Sequence, residues 1–131
     1  MNITTSLDAD RPKNLGGRVK ADTVEREKMK ELLIQEIKEL TAFVRSSEGW
    51  TEIRELIIKG GFDPETSFLA AFLEGEKGEE WGVVVTPERG VFEWFRNTDD
   101  HAATTEWRNI TDSNEDREKY PQIEVALALL P

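Results

Sequence analysis

The sequence predicts an α+β domain in which two N-terminal helices pack on an antiparallel meander of three to four strands, followed by a C-terminal helix. Three observations support this class. Apolar residues recur at helical spacing up to about residue 59, strand-like patterns begin near Thr66, and glycine-containing turns separate the strands. We expect two layers, with the helices on one sheet face. Residues 1–21 lack periodicity and predict a flexible arm, which leaves residues 22–131 as a single domain.

The first predicted helix covers about residues 23–46, with Asp22 or Thr23 as its N-cap. Its apolar residues recur three or four positions apart and indicate one buried side. They are Met29, Leu33, Ile37, Leu40 and Val44, widened by Leu32 and Phe43. Core packing explains this stripe better than a coiled-coil partner, because the stripe lasts only two to three heptads. A second helix is predicted over residues 48–59, where Gly60-Gly61 ends it.

Three to four strands follow. The first is apolar on both faces, as in a central strand, and the turn after the second contains Pro87 and Gly90, with glycine expected to take the positive φ angle. Trp107 lies in the fourth segment, which would form an edge strand. The predicted strands cover residues 67–73, 80–86, 91–96 and about 104–110.

The C-terminal segment fits two structures. Ile123, Val125, Leu127 and Leu129 alternate as in a strand, whereas Pro121 and the Ala and Leu residues after it favour a helix. We favour the helix.

The net charge of −10 is confined to one half of the chain. Residues 1–60 hold 11 acidic and 11 basic side chains, whereas residues 61–131 hold 16 acidic and 6 basic side chains and 9 of the 11 aromatic residues. Nucleic-acid binding depends on Lys and Arg, so this composition argues against a nucleic-acid ligand. It favours a basic protein as partner.

Other classes are excluded by composition. The chain has no cysteine, so disulfides, zinc–thiolate sites and cysteine catalysis are ruled out. No apolar run approaches the roughly 20 residues of a membrane helix, and the polar N-terminus is unlike a signal peptide. We therefore expect a cytoplasmic protein with no membrane partner and no cofactor. The sequence leaves its oligomeric state open, a dimer included.

Motifs for catalysis or metal binding are weak. His101 is the only histidine and follows Asp99 and Asp100, but no nucleophile is indicated beside it, so an exposed, inert histidine is favoured. Residues 112–116 match the start of a calcium-binding loop, but Arg117 stands where that loop needs glycine. We predict no catalytic residue and no metal site.

A protein-binding surface is the remaining candidate. If the C-terminal helix leaves one sheet face open, Trp94 or Trp107 is exposed beside carboxylates, an arrangement in which aromatic anchors supply affinity and an acidic rim steers a basic partner. The alternative is that these aromatic residues fill the core. The candidate partner-binding residues are Glu93, Trp94, Arg96, Asp99, Asp100, Glu106 and Trp107.

Three function classes remain in competition. The leading hypothesis is a non-catalytic, acidic protein-binding module, of the inhibitor or immunity type, that neutralises a basic protein. The second is an acidic secretion-type chaperone or adaptor. The third is a small enzyme that uses carboxylates, with or without His101.

Overall fold

The computed structural model describes residues 19–100 and 104–131, so most of the predicted arm lies outside the described residues. Within these ranges the chain forms four helices, a single 3-10 turn at Glu48–Trp50 and four strands. The helices are α1 (Val19–Ser46), α2 (Thr51–Lys59), α3 (Asn114–Lys119) and α4 (Gln122–Leu129). The strands are β1 (Phe68–Glu74), β2 (Glu79–Val85), β3 (Val91–Asn97) and β4 (Glu106–Asn109). The predicted α+β class is confirmed.

The sheet is an antiparallel meander with the strand order β1-β2-β3-β4. β2 and β3 stay in regular register over their full length. β1 instead shifts register between Leu69 and Ala71, which marks a bulge at Ala70. Because a bulge changes the side-chain alternation, Leu69 and Ala71 pack in cores on opposite sides of the sheet. β1 is the first strand in the sheet order, so the central position that its apolar residues suggested is wrong. It is apolar on both faces because both faces of the sheet are covered.

Helices cover both faces of the sheet, so the two-layer expectation is wrong. Alternation along β2 places Val83 and Val85 on one side, called the first face, and Val84 on the other, called the second face. α4 packs over the first face with Ile123, Ala126 and Leu127, in the first core. α2 packs over the second face with Ile53, Leu56 and Ile57, in the second core. α4 contacts α1 as well as β1 and β2, and most of its residues are apolar and buried.

The long helix α1 lies along β1. The hydroxyl of Thr41 accepts a hydrogen bond from the Leu69 amide at 3.0 Å, and the guanidinium of Arg45 donates to the carbonyls of Pro64 and Ser67 at 2.8 and 3.1 Å. Side chains of α1 therefore satisfy one amide of β1 and two carbonyls of the segment that leads into it. The helix begins at Val19, earlier than predicted.

The predicted stripe on α1 packs inward. Ile37 and Val44 are buried, and Leu33 and Leu40 pack against the two cores. Leu32 and Phe43, however, are 51% and 42% exposed. A step of one residue turns a helix by about 100°, which rotates both side chains away from the single covered side of α1.

The C-terminal segment forms the helix that the sequence favours, and a short helix precedes it. Ser113 is the N-cap of α3: its hydroxyl accepts from the Asp116 amide at 3.2 Å and donates to the Asp116 carboxylate at 2.6 Å. Residues 112–116 thus begin a helix instead of a calcium-binding loop. The spacing of Ser113 and Asp116 is that of a capping box, a signal the sequence contains but our prediction missed.

Two turns show where positive φ angles are needed. Gly61 has φ 96°, and the Gly61 and Phe62 amides donate to the Ile58 and Ile57 carbonyls at 2.9 and 3.1 Å, which ends α2 as a Schellman motif. In the turn between β2 and β3 the positive φ belongs to Arg89, at 70°, and not to Gly90 as expected.

Candidate functional site

The structure separates the seven predicted partner-binding residues into three groups. Glu93 and Trp94 are buried within the fold, so the exposure expected for Trp94 is wrong. Arg96 and Trp107 are partly buried on the second face, whereas Asp99, Asp100 and Glu106 are exposed at one end of the sheet. The physical reason is that α2 covers the second face over Trp94, and the segment carrying Tyr120 covers the first face over Glu93.

Trp94 is the centre of the second core and has no exposed surface. Its ring lies directly over Gly82, where an added Cβ would overlap the ring carbons. Phe72 and Trp107 flank it, with ring centroids at 6.2 and 5.6 Å. Its indole Nε1 donates to Glu80 Oε2 at 2.9 Å. Trp94 is therefore a packing residue whose one polar atom is satisfied inside the fold.

Glu80 also anchors Arg96. Arg96 Nε donates to Glu80 Oε2 at 2.6 Å, and one guanidinium nitrogen reaches Glu80 Oε1 at 3.2 Å and Glu52 at 3.4 Å. The hydrogen bond to Glu80 is the main reason that the pKa of Arg96 is raised. Because a buried carboxylate needs such partners, Arg96 serves the fold first and offers little free charge to a partner.

Glu93 lies in a second buried network, on the first face. Tyr120 donates from its hydroxyl to Glu93 Oε2 at 2.5 Å, and Arg108 donates from Nε to Glu93 Oε1 at 3.0 Å. Arg108 also bonds Asp116 at 3.0 Å, and Lys119 Nζ lies 3.9 Å from Glu93. Each oxygen of Glu93 thus has a donor, as a buried charge requires.

The same network shifts three pKa values, of which that of Arg108 is raised mainly by its hydrogen bond to Glu93. Burial, followed by the hydrogen bond to Glu93, raises the pKa of Tyr120. The pKa of Asp116 is lowered, first by the hydrogen bond from Ser113 and then by Arg108, with burial opposing both. These shifts stabilise a neutral phenol and a charged carboxylate, the protonation states that the hydrogen-bond geometry requires.

Carboxylates gather at one end of the sheet, where the turn between β1 and β2 lies beside the segment after β3. The amide and the hydroxyl of Thr98 donate to the Gly78 carbonyl at 2.7 and 3.0 Å, and this joins the two segments. Lys77 is the one basic residue among the described residues of these segments. We call this region the acidic end and define it by Glu74, Glu76, Glu79, Asp99, Asp100 and Glu106.

An aromatic pair lies next to the acidic end, on the first face. Trp81 and Phe95 are cross-strand neighbours with ring centroids 5.4 Å apart, and both are partly exposed. Neither belongs to the first or the second core. Phe95 in turn pairs with Glu106. Sequence reasoning missed this pair because strand parity groups Trp81 with Val83 and Val85, which are buried.

The remaining features of the described residues do not indicate a catalytic or metal-binding site. His101 lies outside the described residues. A cavity of about 10 Å³, room for about one water, lies among residues that include Thr41, Ser67 and Val84. In the described ranges no cluster of three potential metal-ligating side chains occurs. Nor does any helix there combine the length and the apolar composition needed to cross a bilayer.

No protein-family model, curated protein or solved structure matches this chain.

Proposed function

We propose that the protein is a non-catalytic, acidic protein-binding module that neutralises a basic partner, in the manner of an inhibitor or immunity-type protein. The observation that carries this proposal is the Trp81–Phe95 pair, partly exposed beside the acidic end and outside both cores. A cysteine-free, acidic chain fits a reducing compartment such as the cytoplasm.

The acidic end supports electrostatic recognition of a basic surface. Exposed charges of one sign raise the association rate of an oppositely charged partner and repel partners of like charge. The carboxylates of Glu74, Glu76 and Glu106 are exposed, and none of them forms a hydrogen bond or an ion pair with a described residue. They can therefore meet a cationic partner without breaking an existing contact.

The aromatic pair supports affinity. Trp and other large aromatic side chains are frequent hot spots when a polar rim excludes water around them. Trp81 and Phe95 have such a rim in Glu79 and Glu106, which point to the same face at neighbouring positions of the sheet. The proposed binding surface therefore comprises the acidic end and this pair, with Glu93 and Trp94 as buried support instead of contact residues.

A pair of matched variants tests the proposal. The tagged protein is presented at low salt to a lysate of the cells from which it comes, next to Glu74→Lys/Glu76→Lys and, as control, Glu88→Lys/Glu118→Lys. Both doubles raise the net charge by four, but Glu88 and Glu118 are exposed positions outside the acidic end. We expect a basic protein, identified by mass spectrometry, to be retained by wild type and control and lost from the acidic-end variant.

Binding kinetics with the purified partner then distinguish the role of the acidic residues from that of the aromatic pair. Reversal of Glu74 and Glu76 should lower mainly the association rate and its salt dependence. Trp81→Ala should raise Kd at least about tenfold, largely through faster dissociation. Retention of no basic protein, or equal loss from both double variants, would contradict the proposal.

A further inference from the structure

The two edges of the sheet differ in how far they are covered. The β1 edge is covered by α1, whose Thr41 and Arg45 side chains bond the Leu69 amide and the Ser67 carbonyl. At the other edge, Arg108 is exposed along with Glu106 and Asn109, three of the four residues of β4. Among the described residues no strand pairs with the outer side of β4 and none bonds its outer backbone groups, and an edge strand that is left open in this way offers those groups to another strand.

The direction of those backbone groups follows from one hydrogen bond. The Ile110 amide donates to the Val91 carbonyl at 2.9 Å, so residue 110 turns its amide toward β3. In an antiparallel pair the inward and outward positions alternate. Without a register shift between β3 and β4, residues 108 and 106 also face β3. The amides and carbonyls of Trp107 and Asn109 therefore face outward, and the same alternation, continued one residue before β4, turns those of Thr105 outward as well.

We propose that β4 pairs antiparallel with β4 of a second copy, in a register centred on Trp107, and so joins two sheets into one. In this register Trp107 lies opposite Trp107 of the second copy, and Thr105 lies opposite Asn109. Each opposed pair can exchange two backbone hydrogen bonds, about six in total. None of these three residues is proline, so each has an amide to donate.

Charge complementarity selects a second copy as the occupant and fixes the register. Centred on Trp107, Glu106 of each copy lies opposite Arg108 of the other, on the same face of the joined sheet. Centred on Asn109, Glu106 would lie opposite Asp112, a pair of like charges. A purely basic strand would in turn meet Arg108. The edge is thus complementary to itself, in the isologous manner of a two-fold dimer.

The Arg108 side chain is ready for this contact. Its 57% exposure leaves room for a second carboxylate, while Glu93 and Asp116 fix its guanidinium. A side chain that is already held loses little freedom on binding. The proposal does not depend on a basic partner, since it concerns only the purified protein.

Sedimentation equilibrium of the purified chain from about 10 μM to about 1 mM tests the proposal. We expect the average mass to rise from one chain toward two. Glu106→Arg places like charges opposite Arg108 twice and should weaken the dimer at least about tenfold, whereas Glu88→Arg, the same charge change at an exposed turn, should leave it unchanged.

A second variant tests the backbone pairing. Thr105→Pro removes an outward amide, which an edge strand tolerates in the monomer, and it should also shift the protein toward one chain while circular dichroism stays native. A wild-type protein that stays one chain at every concentration would overturn the proposal. So would a dimer that neither Glu106→Arg nor Thr105→Pro weakens, because it would use another surface.

Discussion

At the residue scale, the most informative side chain is Tyr120, the single tyrosine of the chain. It is buried and donates to Glu93 Oε2 at 2.5 Å, and both causes raise its pKa above the usual value of 10.0. We expect the folded protein to show no phenolate absorbance as the pH rises through about 10. The protonated phenol of Tyr120 also stabilises the fold, because its pKa is higher in the folded than in the unfolded chain. This stabilisation is fully present below pH 10.0 and is lost as the pH rises through the folded pKa.

The urea-unfolded chain is the control, since its phenol should titrate near 10. Glu93→Gln supplies a second comparison, because it removes the charge that opposes the phenolate. If this variant folds, the pKa of Tyr120 should fall toward its usual value. A folded wild-type protein whose phenol titrates near 10 would contradict the hydrogen-bonded, buried position of Tyr120.

At the element scale, the packing of β3 on β2 depends on the absence of a side chain at Gly82. Gly82 lies opposite Trp94 in the register, and an added Cβ would overlap its ring. The ring cannot move freely, because it is buried and its Nε1 is held by Glu80. We expect Gly82→Ala to lower the free energy of unfolding by about 1–3 kcal/mol.

Urea denaturation measures this loss, and Gly49→Ala is the matched control. A Cβ at Gly49 meets no heavy atom within 4 Å, so its effect should stay within about 0.5 kcal/mol. Equal stability of the two variants would show that Trp94 can leave Gly82 at little cost.

The elements also show what a sequence can predict here. The apolar stripe on α1 repeats at helical spacing, so the burial of Ile37 and Val44 is predicted correctly. The burial of Trp94 depends on which helix covers which face, and this is set by contacts between segments far apart in the chain. For the same reason no local pattern distinguishes Trp81, at a partly open end of the sheet, from its buried neighbours.

At the scale of the whole molecule, the exposed negative charge is concentrated at one end of the sheet. The excess of acidic residues after Gly60 does not surround the sheet evenly, because Glu80, Glu93 and Asp116 are buried and paired with Arg96 and Arg108. Six carboxylates of the same half lie at the acidic end, with Lys77 as the one basic residue of its described segments. We therefore expect the attraction of a basic partner to act mainly toward this end of the sheet, where we place the partner.

The two cores should unfold together, because they share one sheet. Val83 and Val85 belong to the first core and Val84, between them, to the second, so neither core can lose the sheet alone.

Two buried side chains allow each core to be weakened separately: Leu127→Ala in α4 and Leu56→Ala in α2, each expected to cost about 2–5 kcal/mol. Fluorotyrosine at position 120 reports on the first core, and tryptophan fluorescence reports mainly on the second. In urea, both probes should give one coincident transition in wild type, and each variant should shift both midpoints equally. A variant that moves one probe and leaves the other in place would show that each face unfolds independently and that the sheet does not couple them.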